Sequence, residues 1–247
     1  MKNGKRFLLI LGMTLLLFGS LQIFHWFQES NDSKKLQDKL KTDAIIDHVE
    51  QTESSPFLSI DFSTLTSQNE DVVGWIKIQN TNVDYPIVQS FDNQFYLNHN
   101  FHKETSKAGW IFADYRNPSS LSDQNIILYG HGRLDNSMFG SLRLLLEEDW
   151  FIQNQSHQIQ LSTLKENRLY EIVSIYTIKP ETYYLTTFFE NDQKWQQYLE
   201  TIQRRSIYSF DTTLYPDDQI LTLSTCQDDN QNRLVVHAKL IKKEIRK

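Results

Sequence analysis

The sequence predicts a mainly β fold with peripheral helices, closed into a barrel. Beyond residue 70, short runs rich in β-branched and aromatic residues recur, eight in all, bounded by polar turn residues. Only two helical stretches interrupt them, so the alternating rhythm of a doubly wound parallel sheet is missing. Gly and Pro are scarce, 8 and 5 in 247 residues, which leaves little room for linkers or low-complexity tracts. An apolar content of 39% and a charged content of 23% are those of an ordinary globular chain.

The first element is of another kind. Lys2, Lys5 and Arg6 precede an apolar run from Phe7 to Phe27, 21 residues long. As a helix it would extend ~31 Å, enough for the hydrocarbon core of a bilayer. Gln22, His25 and the interfacial aromatic Trp26 sit near its far end. We read an uncleaved anchor with a cytoplasmic amino terminus and an exported body. The rival reading is a signal peptide cut near Gly19-Ser20. From Asn31 to about Glu53 the chain is charged and free of Gly and Pro, with Leu36, Leu40, Ala44 and Val49 at roughly helical spacing. This predicts a separate helix, capped by Asp32 and broken at Ser54-Ser55-Pro56. The expected divisions are therefore 1–28 for tail and anchor, 29–70 for a helical segment and 71–247 for the barrel.

The predicted strands follow in order. "VVGWIKI" and "VDYPIVQ" flank a polar turn at Gln79–Asn82. Then come Ala108–Ala113, Asn125–Tyr129, His157–Leu161, Leu169–Thr177, Gln219–Cys226 and Arg233–Ile241. One helix is predicted over Ser137–Trp150, with Leu142, Leu145 and Leu146 on its apolar face. A second covers Asp192–Arg204, burying Trp195, Tyr198, Leu199 and Ile202.

Charge removes one class of function. The first 28 residues hold three bases and no acid, which leaves 22 Lys and Arg against all 31 Asp and Glu. A body that acidic is unsuited to neutralising phosphates, so nucleic acid is excluded as a partner. The sequence also contains no G-x-S-x-G, H-E-x-x-H, Walker loop or G-x-G-x-x-G, and no Cys/His set at zinc spacing. No metal or other cofactor is expected.

The chain has one cysteine, Cys226. In an exported protein an unpaired cysteine is either a reactive thiol, an intermolecular link or a small buried apolar side chain. Its surroundings favour chemistry. Gln219–Cys226, a polar loop over Gln227–Asn232 and Arg233–Ile241 read as a hairpin, in which Cys226 and Arg233 stand opposite with Cβ atoms ~5 Å apart. A guanidinium there would favour thiolate and hold an oxyanion. A rim arginine in water is the plain alternative. A cysteine nucleophile also needs an imidazole. His131 is the best placed of seven, at a strand exit between Gly130 and Gly132, where glycines permit unusual backbone angles and close approach of substrate. His237 is expected to lie on a sheet face, His99 and His102 in a solvated loop, and His157 at a strand start. His25 belongs to the apolar run and His48 to the connecting helix. Asp228 and Asp229 follow the cysteine and read as turn residues.

"LTLSTC", Arg233 seven positions later and "YGH" about ninety residues upstream resemble a sortase, a membrane-anchored cysteine transpeptidase of Gram-positive bacteria. "VDYPIVQSFDNQFYLNHNF", "GWIFADYRN", "NIILYGHGRLDNSMFGSL" and "LSTCQDDNQNRLVVHAKL" resemble class B, over about Asp71 to Ile241. The resemblance implies the eight-stranded sortase barrel. It implies Cys226 as nucleophile, His131 as general acid/base and Arg233 as oxyanion and substrate stabiliser. It also implies sorting-signal contacts from Asn93, Leu97, Tyr184, Leu185 and Ser224. Gln227, where an acid is often expected, and the short loop from Cys226 to Arg233 depart from the family pattern. The implied partners are surface or pilin proteins bearing a carboxy-terminal sorting signal, with a peptidoglycan or pilin amine as acceptor. The implied location is the cell membrane, single-pass, with the catalytic domain outside. The competing readings are a secreted cysteine peptidase and a non-catalytic, membrane-tethered wall-binding domain.

Overall fold

The β-branched and aromatic runs pair into one closed sheet. The computed structural model describes residues 2–46, 57–153, 157–226 and 232–246. Its strands are β1 (Val72–Ile78), β2 (Asp84–Val88), β3 (Phe112–Ala113), β4 (Asn125–His131), β5 (Gln158–Thr163), β6 (Glu166–Ile178), β7 (Ile220–Cys226) and β8 (Arg233–Ile245). Around the barrel they run β1-β2-β3-β4-β7-β8-β6-β5, with β5 closing against β1. Closure leaves no long unpaired edge. Two neighbouring pairs are parallel, β2 with β3 and β4 with β7, and the others are antiparallel.

The β4–β7 pair positions the site. The chain leaves β4, builds β5 and β6, and returns to lay β7 alongside in the same direction. Both strands therefore end at the same end of the barrel. Their register runs from Asn125↔Ile220 to His131↔Cys226. The interior is filled by side chains on one face of the strands, including Ile76, Ile87, Leu128, Tyr170, Leu223 and Val236.

Among the described residues there are four α-helices: α1 (Lys2–Ala44), α2 (Phe62–Gln68), α3 (Glu148–Gln153) and α4 (Asp192–Arg205). The two predicted amino-terminal helices are in fact one. Residues 20–44 contain neither Gly nor Pro, so nothing stops α1 between its apolar and charged halves. Asp32 is no cap; it lies within α1 beside Lys35. The apolar half is long and hydrophobic enough to cross a membrane and is unburied. The charged half docks on the barrel. Leu40 and Ala44 are fully buried. Glu29 accepts from the Lys107 and Ala108 amides, Ser30 donates to Asp135 at 2.6 Å, and Lys41 pairs with Asp84 at 2.9 Å. Val49, His48 and the predicted break at Ser54–Pro56 lie outside the described residues.

Three further differences have local causes. The helix expected over Ser137–Trp150 is a 3₁₀ segment (Gly140–Leu146) followed by α3. Gly140 lies so close to the Arg133 backbone that a Cβ would meet its carbonyl oxygen at 2.1 Å. The Arg143 guanidinium donates to the Gly140 carbonyl at 2.8 Å. Three-residue winding also puts both Leu142 and Leu145 into the core. The strand expected over Ala108–Ala113 shrinks to two residues, because Gly109 adopts φ +59° and Trp110 bonds back to Tyr96. Helix α2 falls within the expected helical segment 29–70, though not as an individually expected element. Its local signal is Asp61, an N-cap accepting from the Ser63 and Thr64 amides. The hydroxyls of Ser63 and Thr64 bond that carboxylate too and lower its pKa to about 2. Helix α4 matches its expected span and buries Trp195, Tyr198, Leu199 and Ile202 against β6 and β7.

Candidate active site

Three groups of side chains meet around the shared end of β4 and β7. The first is His131. It ends β4, half-buried, and its Nε2 lies 2.8 Å from the Leu97 carbonyl. Leu97 closes a 3₁₀ turn over Phe95–Leu97, so the expected residues Leu97 and His131 are neighbours through a main-chain oxygen. The parallel register sets the Cα of His131 abreast of that of Cys226. Cys226 is the last residue of β7; its side chain, with Gln227, Asp228 and Asp229, lies outside the described residues.

The second group is Arg233, Tyr184 and Ser224. The β7–β8 ladder ends with Ser224 paired to Val235, and the same register carried two residues on would set Cys226 opposite Arg233. The Arg233 guanidinium donates to the Tyr184 hydroxyl at 3.4 Å. That hydroxyl also lies 3.3 Å from the Ser224 hydroxyl, and both Tyr184 and Ser224 are fully buried. Tyr184 sits in a second 3₁₀ turn, Tyr183–Leu185, between β6 and α4.

The third group was not foreseen. Asp114, fully buried just after β3, accepts from Arg116 through Nε at 2.9 Å and Nη2 at 2.6 Å. It also accepts from the Tyr129 hydroxyl at 2.8 Å and the Asn93 amide at 3.0 Å. Burial alone would raise its pKa; the Arg116 and Tyr129 bonds outweigh that and hold it low. Asn93, expected to touch substrate, is thus tied into this hub, and its own carbonyl takes the Tyr115 amide. Leu185 joins from the other side, its carbonyl accepting from Arg116 at 2.8 Å. The signal for this hub was the run "ADYRN", in which an acid and an arginine two positions apart can chelate each other.

Four other histidines have other occupations. His237 is fully buried on β8, between the Tyr176 and Thr222 hydroxyls at 2.8 Å each. Burial lowers its pKa to about 3. His99 stacks on Phe95, His157 packs between Trp150 and Phe210, and His102 is exposed.

Gly130 is required here by packing and not by an unusual backbone angle. Gly130 continues the strand with no left-handed angle, and a Cβ there would strike the Phe139 ring at 2.9 Å. The residue that needs a special conformation is Gly109. At φ +59°, a Cβ would meet the Tyr96 and Leu97 carbonyls at 2.7 and 2.8 Å and the His131 ring at 3.0 Å. Gly109→Ala is expected to destabilise the fold by about 2–3 kcal/mol, as left-handed strain and the clash combine. Denaturant unfolding measures that loss. Activity should fall as well, since the Leu97 carbonyl that contacts His131 must move.

A family model for the sortase domain matches residues 76–241. The chain is similar to Sortase B of Listeria monocytogenes, 37% identical over 182 residues, 72% of this chain and 73% of that protein. It is also similar to Sortase B of Staphylococcus aureus, 34% identical over 249 residues, 96% of this chain and 98% of that protein. The chain belongs to the sortase family, in class B. Solved structures agree with this sortase's fold. Sortase B from B. anthracis in complex with AAEK1 superposes with a TM-score of 0.76 at 38% identity, over 87% of this chain and 99% of that one. A Staphylococcus aureus sortase B–substrate complex gives 0.72 at 32% identity, over 89% and 99%.

Proposed function

We propose that this sortase is a membrane-anchored cysteine transpeptidase acting on carboxy-terminal sorting signals. One observation carries the reading: the parallel β4–β7 register, which brings His131 and Cys226 abreast at one barrel end. In this reading the Cys226 thiolate attacks the carbonyl of a Thr–X bond. The resulting oxyanion is held by Arg233, whose guanidinium stays protonated. His131 gives its proton to the leaving amine, the C–N bond breaks, and a thioacyl-enzyme remains. An amine from a peptidoglycan cross-bridge or a pilin lysine then attacks the thioester, loses a proton to His131, and expels the thiolate. Asn93, Leu97, Tyr184, Leu185 and Ser224 would line the path of the signal.

The same reading assigns residues 1–28 to tail and anchor, 29–70 to the helical segment and 71–247 to the catalytic domain. The basic residues before the apolar run keep the amino terminus inside, and the barrel faces outward. Because α1 runs unbroken from the apolar half onto the barrel, the catalytic domain would be carried on a stiff support.

The test is a mass measurement. Full-length protein in detergent, mixed with a sorting-signal peptide, should gain the mass of the acyl fragment as a thioester labile to hydroxylamine. Cys226→Ala should gain nothing, and added amine should raise transfer product over hydrolysis. Cleavage at the wild-type rate by Cys226→Ala would sink the proposal, and indifference to amine would leave a peptidase.

A further inference from the structure

The segment joining β6 to α4 makes no sheet ladder, yet three consecutive main-chain carbonyls in it are held from other elements. Asn125, the first residue of β4 and fully buried, donates to the Tyr184 carbonyl at 3.3 Å and to the Thr186 carbonyl at 2.8 Å. Arg116 donates to the carbonyl between them, that of Leu185, at 2.8 Å. Asn125 has no freedom in this arrangement. Its amide nitrogen carries two N–H groups, and both are used. Its side-chain oxygen accepts from the Thr222 hydroxyl of β7 at 2.6 Å. Turning the amide over would set that oxygen against two carbonyl oxygens, so the orientation is determined. A buried carboxamide with every bond made is costly to replace and rigid when kept.

What this clamp holds is Tyr184. The ring hangs from the clamped backbone and carries its hydroxyl to Ser224 and Arg233. Asn125 itself stands at the far end of β4 from His131, six residues or ~20 Å away, and touches none of the reacting groups.

We propose that Asn125 is a positioning residue for the sorting-signal path: with Arg116 it fixes the main chain of 184–186 and so places the Tyr184 hydroxyl between Ser224 and Arg233. The inference rests on the function proposed above, and names what sets one wall of that site. Its consequence is selective. Loosening the clamp blurs the placement of Tyr184 against Arg233, and through it the donor's path, while Cys226, His131 and the amine acceptor are untouched.

The experiment is steady-state kinetics of the full chain in detergent, with a sorting-signal peptide as donor and triglycine as acceptor. Asn125→Ala should raise the donor KM about tenfold, the equivalent of one or two lost hydrogen bonds, with kcat little changed and the triglycine KM constant. In a Tyr184→Phe background the same substitution should add less than about twofold, since it acts through that hydroxyl. Arg116→Gln, at a partly exposed position, should shift the donor KM in the same direction and decides the matter if Asn125→Ala fails to fold. A donor KM unchanged in the folded variants, or a loss of kcat alone in proportion to misfolded protein, overturns the proposal. So does an undiminished Asn125 effect in the Tyr184→Phe background. If wild-type protein turns over no peptide, the functional reading fails by itself. Hydrogen exchange then still tests the clamp: amides of residues 183–189 should exchange faster in either variant, and unchanged rates would refute it.

Discussion

Arg233→Ala is expected to lower kcat by about two to three orders of magnitude, the usual cost of removing an oxyanion donor. His131→Ala should lower it by ~10²–10⁴, the range for a general acid/base. Both expectations follow from placement: His131 stands abreast of Cys226 on β4, and Arg233 opens β8, two residues before the Val235 that pairs with Ser224. Lysine at position 233 should restore little, because an ammonium lacks the planar fork that can serve the Tyr184 hydroxyl and an oxyanion together. Residues that act as a unit are not additive, so the double variant should be hardly worse than the poorer single one. Single-turnover thioester formation separates the first step from the second. Arg233→Ala turning over within about threefold of wild type would mean that no oxyanion depends on it.

Acid should weaken the fold earlier than its carboxylates alone would dictate, and His237 is the cause. Its folded pKa, pushed down to about 3 by burial, lies below the ordinary imidazole value of about 6.5. Between those two values the unfolded chain binds a proton that the folded barrel refuses. Stability therefore falls as pH drops from about 6.5 toward 3, by ~1.4 kcal/mol per pH unit at the steepest. The groups facing this imidazole are the Tyr176 and Thr222 hydroxyls and the Tyr198 ring. Burial raises both tyrosines above their ordinary pKa, so none of these groups is charged in that window. Asp114 and Asp135 act in the same direction at lower pH. Their folded pKa values are depressed, so their contribution is present above the usual carboxylate range and lost as pH falls through the folded values. Urea unfolding from pH 7.5 to 4.5 measures the slope. His237→Gln, which keeps polar atoms for both hydroxyls, should be less stable at pH 7.5 but lose about one proton's worth less on acidification. Parallel pH profiles for wild type and variant would show that His237 takes up its proton in the folded state.

Much of this molecule is legible in local pattern. All eight strands fall where β-branched and aromatic runs predict them, because a half-buried pleated surface selects those residues over a few positions at a time. The α4 stripe and the β7–β8 hairpin are likewise short-range. The chemistry of Cys226, Arg233 and His131 was expected from their types and their places at strand ends. Errors arose where a non-local contact overrode propensity. Gly140 against Arg133 and the Arg143 guanidinium turned a predicted α-helix into 3₁₀ winding. A left-handed Gly109 cut β3 to two residues.

The sequence by itself determined the strands, a lone thiol at the end of one with an arginine at the start of the next, and an apolar helix ahead of the barrel. Each depends on neighbours within one strand, turn or helix. Only the tertiary structure decided that β4 and β7 lie side by side, joining His131 to a residue 95 positions away. It alone decided that Asn125 and Arg116, the latter braced by Asp114, reach across to hold the main chain beside Tyr184. The physical reason is that a hydrogen bond between distant segments leaves no periodicity in the sequence. It exists once barrel closure has brought its donor and acceptor within 3 Å.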